Sequence, residues 1–277
     1  MVQQEDPDAM DADAVDPEGT NDPAVVEARG AGRAPAPLLV LDFDGVICDS
    51  VEECWVSSWT AYHDLFLGTP GPRPPAEVKA RFRALRPFVR SGEDFVLIQH
   101  LVTRGRSPSS QAEFDREWDE PGLPPQNRFK ELYYQARTAL YERDPAAWLA
   151  MNRIYPHVAT ALSELPSRVQ RFILSTKKAQ FVSATLGANG LSVPGDHVLY
   201  SEGEPKLATV ERLMRELEAG EAVFVEDQVD ALRANRNPGI RTYLATWGYV
   251  QQEWLRNPGS GIRLLDPDGF VQLLESL

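Results

Sequence analysis

Leu38, Leu39, Val40 and Leu41 form an unbroken apolar run that stops at Asp42-Phe43-Asp44-Gly45. A strand buried on both faces reads this way, because neither of its sides meets water. Comparable short runs recur at 171–174, 197–200, 222–225 and 240–244. Between them the period changes, and Leu207, Val210, Leu213, Met214 and Leu217 fall on one face of a helix. Strands alternating with helices at this spacing predict an α/β domain in three layers, with helices covering a mostly parallel sheet.

Residues 51–150 break the alternation. Ser50 with Glu53 has the spacing of a capping box, and Val51, Trp55, Trp59, Tyr62 and Phe66 follow at helical intervals. Val78, Phe82, Leu85 and Val89 make a second apolar stripe, and Phe129, Tyr133, Ala136 and Leu140 a third. Pro87 falls inside the second and is expected to break or kink its helix. Joints rich in Pro and Gly at 68–75 and 121–125 divide the stretch. The pattern predicts an α-helical domain over 51–150, inserted into an α/β core made of 37–50 and 151–277.

Composition alters this picture at one end. Residues 1–36 hold nine acids, two bases and no aromatic residue, so more than half of the net charge of −13 lies there. Such a segment buries too little apolar surface to offset the entropy of ordering and is expected to be a disordered acidic tail. The remaining chain is only mildly acidic, which disfavours an electrostatic grip on nucleic acid. No apolar run approaches the roughly 18 residues of a membrane span. Cys48 and Cys54 are the only cysteines, too few for a disulfide framework, and the N-terminus is acidic where an export signal would be basic. The expected compartment is the cytoplasm.

Candidate chemistry gathers at the strand ends. Asp42 and Asp44 lie where the first strand stops, and in an open α/β sheet ligands bind at the carboxyl ends of strands. The second run ends in Ser175-Thr176-Lys177, hydroxyls and a base suited to an anion. Lys206 stands just ahead of an amphipathic helix, where backbone N–H groups also favour negative charge. The run at 222–225 ends in Glu226-Asp227, with Asp230 beyond. Carboxylates from two strand ends suit a hard cation such as Mg²⁺, which takes one or two carboxylates and keeps several waters.

In this order, Asp42-Phe43-Asp44-Gly45-Val46, Ser175, Lys206 and Glu226-Asp227 resemble the haloacid dehalogenase superfamily, in the branch whose helical cap lies between the first and second motifs. The resemblance spans roughly 38–250. It implies a Rossmann-like α/β core and an enzyme in which Asp42 attacks phosphorus and Asp44 protonates the leaving oxygen and later activates water. Ser175 and Lys206 would stabilise the phosphoryl group; Asp42, the backbone carbonyl of Asp44, and Asp227 would bind Mg²⁺. The family often has Gly-Asp with a second Asp four positions on, whereas this chain has Glu226-Asp227 and Asp230, so either Glu226 or Asp230 remains open as the metal's helper. Asp44 favours phosphoryl chemistry over dehalogenation, which needs no leaving-group acid. The implied activity is Mg²⁺-dependent hydrolysis of a small phosphorylated metabolite; a phosphomutase and a non-catalytic binding protein are the alternatives.

One stretch of the insertion is basic: Arg73, Lys79, Arg81, Arg83, Arg86 and Arg90 against Glu77 alone. Helical spacing puts Lys79, Arg83, Arg86 and Arg90 near one face, either as a solvated surface or as an anion-collecting lip. Arg83 and Arg86 are the substrate-binding candidates. The four histidines lack metal-ligand spacing, and no nucleophile elbow or Gly-rich phosphate loop is present.

Overall fold

The computed structural model describes residues 37–277 apart from Pro70, Pro72, Arg73 and Glu202. The acidic tail and Arg73 of the basic stretch lie outside the described residues. In chain order, β1 (Leu38–Leu41) and the short β2 (Cys48–Asp49) precede six helices: α1 (Val51–Phe66), α2 (Ala76–Leu85), α3 (Gly92–Thr103), α4 (Gln111–Arg116), α5 (Gln126–Arg143) and α6 (Pro145–Ala150). There follow β3 (Arg153–Ile154), α7 (Pro156–Glu164), β4 (Arg171–Ser175), α8 (Ala179–Ala188), β5 (Val198–Tyr200) and α9 (Lys206–Glu216). The chain ends with β6 (Ala222–Glu226), α10 (Val229–Arg233), β7 (Ile240–Ala245), α11 (Gln252–Arg256), β8 (Ile262–Leu265) and α12 (Pro267–Glu275).

Six strands form one parallel sheet in the order β5-β4-β1-β6-β7-β8. From β1 the sheet grows through β4 and β5 on one side, then through β6, β7 and β8 on the other. The carboxyl end of β1 therefore lies where the strand order reverses, the place in an open α/β sheet where a crevice opens. Side chains alternate along β1 as the pleat requires. Leu39 and Leu41 join a core with α7, α8 and α12 through Val158, Val182 and Phe270, whereas Leu38 and Val40 join one with α9, α10 and α11 through Val210, Leu232 and Trp254. This is the expected three-layer, Rossmann-like arrangement.

Helices α1 to α5 bury a third core, which includes Trp55, Phe82, Ile98, Phe114 and Phe129 and takes in Tyr249 from the segment after β7. β2 and β3 pair antiparallel, Cys48 with Ile154 and Asp49 with Arg153, and so bring the two ends of the helical excursion together. Pro87 acts as expected: α2 stops at Leu85 and a 3-10 turn covers Arg86–Phe88.

Two expectations need correction. Ser50 stands at the N-cap of α1 without a side-chain capping bond, and Glu53 does not reach back to it. Glu53 is instead fully buried and pairs with Arg137. The real capping box is Ser91 with Asp94 at α3. The sequence reading also has no counterpart to β8, a two-faced edge strand whose Arg263 and Leu264 are exposed.

Candidate active site

The turn after β1 is built around Gly45. Its φ is +94°, and a Cβ there would fall 1.9 Å from Asp227 Oδ2 and 2.8 Å from Tyr249 Cδ2. Only glycine allows this close approach of the β1 turn to the end of β6. Asp42 continues the ladder, its N–H donating to the Val225 carbonyl at 3.0 Å, so its carboxylate is set beside Glu226 and Asp227. Among the described residues these three acids are the one group whose ligand oxygens all lie within 4.8 Å of one another.

Lys206, the first residue of α9, reaches between them. Its Nζ is 2.6 Å from Asp42 Oδ1 and 2.6 Å from Glu226 Oε2. Glu226 Oε1 accepts the backbone N–H groups of Asp227 and Gln228, both at 3.0 Å. Both Glu226 oxygens are thus committed, and the residue anchors Lys206. Asp227 Oδ2 accepts the Tyr249 N–H at 2.8 Å, which leaves its other oxygen available. Asp230 points elsewhere: it pairs with Arg90 and Arg233 and is well exposed. Glu226 is therefore engaged by Lys206 and two backbone N–H groups, and Asp230 by Arg90 and Arg233.

Three crowded carboxylates share one lysine. Burial, then Glu226, raises Asp42 to about 7 against the opposing pull of Lys206. Burial and Glu226 likewise push Asp227 well up. An all-oxygen set with surplus negative charge fits a hard divalent cation.

Asp44 is treated differently. Burial would raise it, but Lys177 and Arg137 outweigh that and hold it at about 2. Lys177 Nζ is 2.9 Å from Asp44 Oδ1, 3.2 Å from Asn152 Oδ1 and 3.6 Å from Glu53 Oε2. Glu53 in turn takes Arg137 Nε and Nη2, each at 2.9 Å, and the Ser57 hydroxyl at 2.6 Å. Lys177, Glu53 and Arg137 form a buried chain to Asp44 that the sequence reading missed. Glu53 and Arg137 lie 84 positions apart, and nothing local marks the pair.

Asp42, Asp44, Ser175, Lys206 and Asp227 together line one cavity of about 350 Å³. Ser175 Oγ accepts the Lys177 N–H at 3.1 Å, and the neighbouring Thr176 carbonyl accepts the Tyr134 hydroxyl at 3.2 Å. Of the basic stripe, Arg86 and Arg90 reach the cavity and Lys79 and Arg83 do not. Arg83 pairs with Asp49 at 3.0 Å on the outside, and Lys79 pairs with Glu52. Arg86 is buried over the rings of Tyr249 (4.3 Å) and Phe95 (5.1 Å), with its Nε unpartnered. Burial lowers its pKa, but the nearby Asp227 charge prevails and raises it. Gln228 fixes the turn that presents Arg86, donating to the carbonyls of Pro87 (3.1 Å) and Val89 (3.2 Å).

A model of the haloacid dehalogenase-like hydrolases matches residues 37–239. The chain belongs to this hydrolase family. Solved structures of similar fold include a haloacid dehalogenase-like protein of Streptococcus pneumoniae, with TM-score 0.52 and 15% identity over 86% of this chain and 98% of that one. A predicted phosphoglycolate phosphatase of Haemophilus somnus gives 0.56 and 15%, covering 87% and 99%. A predicted phosphatase of Clostridium acetobutylicum gives 0.55 and 14%, covering 87% and 100%. At these identities the likeness is one of fold. No curated protein matches this chain. Among the described residues of this haloacid dehalogenase-like hydrolase, no helix is long and apolar enough to cross a membrane.

Proposed function

We propose that this chain is a Mg²⁺-dependent phosphatase that hydrolyses the phosphate monoester of a small metabolite through an aspartyl phosphate on Asp42. The observation that carries the reading is the Lys206 bridge between Asp42 and Glu226, inside the cavity that also holds Asp44, Ser175 and Asp227. A nucleophilic carboxylate must be ionised, and burial among acids opposes that. Lys206 compensates for part of the charge. The remaining oxygens of Asp42 and Asp227, with the Asp44 carbonyl, would hold Mg²⁺, which when bound supplies further positive charge against the phosphoryl oxygens.

In the first step Asp42 attacks phosphorus, the bond to the leaving oxygen breaks, and Asp44 gives that oxygen a proton. Water then attacks the same phosphorus, Asp44 takes its proton, and the bond to Asp42 breaks to release phosphate. Both carboxyl groups are restored. Ser175 donates to a phosphoryl oxygen, and Lys206 neutralises charge on the phosphoryl group and nucleophile. Lys177 and Arg137 favour ionised Asp44 in the structure, and a phosphate dianion beside it works the other way.

In this reading 37–50 and 151–277 are the catalytic core and 51–150 the cap, which contributes Arg86 to the substrate. A cap over a cavity of about 350 Å³ favours small molecules. Phosphoglycolate, the substrate in the description of one solved neighbour, heads the compounds to assay, followed by sugar phosphates and nucleoside monophosphates. Phosphate release that needs Mg²⁺, stops with chelator and vanishes in Asp42→Asn is the expected result. Isomerised product without free phosphate would replace the reading with a phosphomutase, and activity retained in Asp42→Asn would overturn it.

A further inference from the structure

We infer that Lys177 is a positioning residue for Asp44, holding in one orientation the carboxylate that serves the leaving oxygen. The inference rests on the phosphatase reading and adds a residue to it.

Lys177 is only 1% exposed. A buried ammonium is strongly unfavourable unless each of its donors is met, so an apolar side chain would serve packing better. Here two donors are hydrogen-bonded, to Asp44 and Asn152, and the Glu53 carboxylate stands 3.6 Å away as a further counter-charge. The rings of Phe43 and Trp148 lie 5.3 and 5.7 Å from Nζ and close the remaining directions. Each acceptor is itself held. Asn152 donates to the Trp148 carbonyl at 2.9 Å, and Glu53 is gripped by two nitrogens of Arg137. The ammonium has no freedom to follow Asp44 if it turns, so Asp44 is held to the ammonium.

The two reacting carboxylates therefore have a lysine each. Lys206 also touches Glu226 beside the proposed metal position, whereas Lys177 touches, of the two reacting carboxylates, only Asp44 and acts through it. Proton transfer needs the acid within hydrogen-bond reach of the leaving oxygen, and a misplacement of about 1 Å costs on the order of a hundredfold. Lys177 meets that demand from behind, and Glu53 and Arg137 brace it from α1 and α5.

A leaving-group series separates this role from simple packing. An aryl oxygen with an electron-withdrawing nitro group departs without a proton, whereas an alkyl oxygen needs one. We would compare kcat/KM, which reports the step that forms the aspartyl phosphate, for 4-nitrophenyl phosphate, phenyl phosphate and glycerol phosphate with saturating Mg²⁺. In full-length Lys177→Met the alkyl ester should lose about 100-fold or more and the nitrophenyl ester less than about fivefold. Equal losses across the series would overturn the inference. Asn152→Ala keeps the charge, removes one of its three holders and should give the same ordering at roughly a tenth of the size. It decides the matter if the Met variant does not fold, and equal losses there are equally fatal. Wild-type enzyme inert toward every ester would bring down the phosphatase reading itself; an active wild type with evenly impaired variants would bring down this inference alone.

Discussion

Replacing Glu53 with Gln keeps the shape of the side chain and removes one charge from a set of four, of which only Asp44, on the cavity wall, is partly exposed. Asp44 and Glu53 balance Lys177 and Arg137, and Glu53 has no exposed surface. In the variant two buried cations face one carboxylate. Removing one partner of a buried pair typically costs about 3–5 kcal/mol, because the charge left behind is neither solvated nor neutralised. A Coulomb estimate agrees, since unit charges 4 Å apart interact by about 4 kcal/mol at an effective dielectric near 20. For a domain of this size each kcal/mol moves the melting temperature by roughly 2–4 °C, so Tm should fall by about 6–20 °C.

Urea unfolding at pH 7 measures the loss directly, and an unchanged m-value assigns it to the folded state. Adding Arg137→Met should recover much of it by removing the orphaned cation, with a coupling energy of about 2 kcal/mol or more. The pH dependence has a definite sign. Burial pushes the Glu53 carboxyl up, but Arg137 and Lys177 outweigh it and hold the group below its ordinary 4.5. Its contribution is complete above that value and is lost as the pH falls through the lower folded pKa. The advantage of wild type over Glu53→Gln should therefore be flat at neutral pH and shrink below 4.5. A difference under about 1 kcal/mol at pH 7, or one that grows with acid, would refute the account of a mutually dependent quartet.

Asp227→Asn should weaken Mg²⁺ binding at least tenfold in a metal titration, whereas Asp230→Asn should leave it unchanged, because Asp230 is turned toward Arg90. Equal effects would contradict the metal position. Arg86→Ala should raise KM and make it less sensitive to salt, and Arg83→Ala should change neither, since Arg83 is engaged by Asp49 outside the cavity. Initial rates at low and high ionic strength decide, and a KM effect from Arg83 equal to that from Arg86 would restore the whole stripe as the anion-collecting surface.

The sheet was legible because its strands are buried on both faces and so read as uninterrupted apolar runs. β8 was not: only its end residues, Ile262 and Leu265, are buried, and a four-residue edge strand has too short a pattern to register. The basic stripe failed for a related reason. Helical spacing would keep Lys79, Arg83, Arg86 and Arg90 on one face, but the helix ends at Leu85. Beyond that point the 3-10 turn at Pro87 redirects Arg86 inward while Arg83 stays outside. Periodicity assigns residues to a face only while the helix lasts.

The surroundings of Asp42 were legible for a different reason. Asp42, Ser175 and Asp227 each sit at or just past the end of a parallel strand, and a parallel sheet brings such ends to one edge whatever lies between them. Glu53 offers no such handle, and its local context misled: Ser50-x-x-Glu53 has the spacing of a capping box, but the carboxylate turns inward to two cations supplied by distant segments. The choice follows from burial. A carboxylate at an exposed helix start gains about 1 kcal/mol from capping, whereas Arg137 or Lys177 left unpaired in the interior would cost several times that. Glu226 follows the same logic. As an acid beside Asp227 it reads as a metal ligand, but a lysine that must stay charged against Asp42 needs a fixed counter-charge. The two N–H groups on Glu226 Oε1 and Lys206 on Oε2 make it that anchor, and in the proposed mechanism this leaves Asp42 and Asp227 to hold the metal.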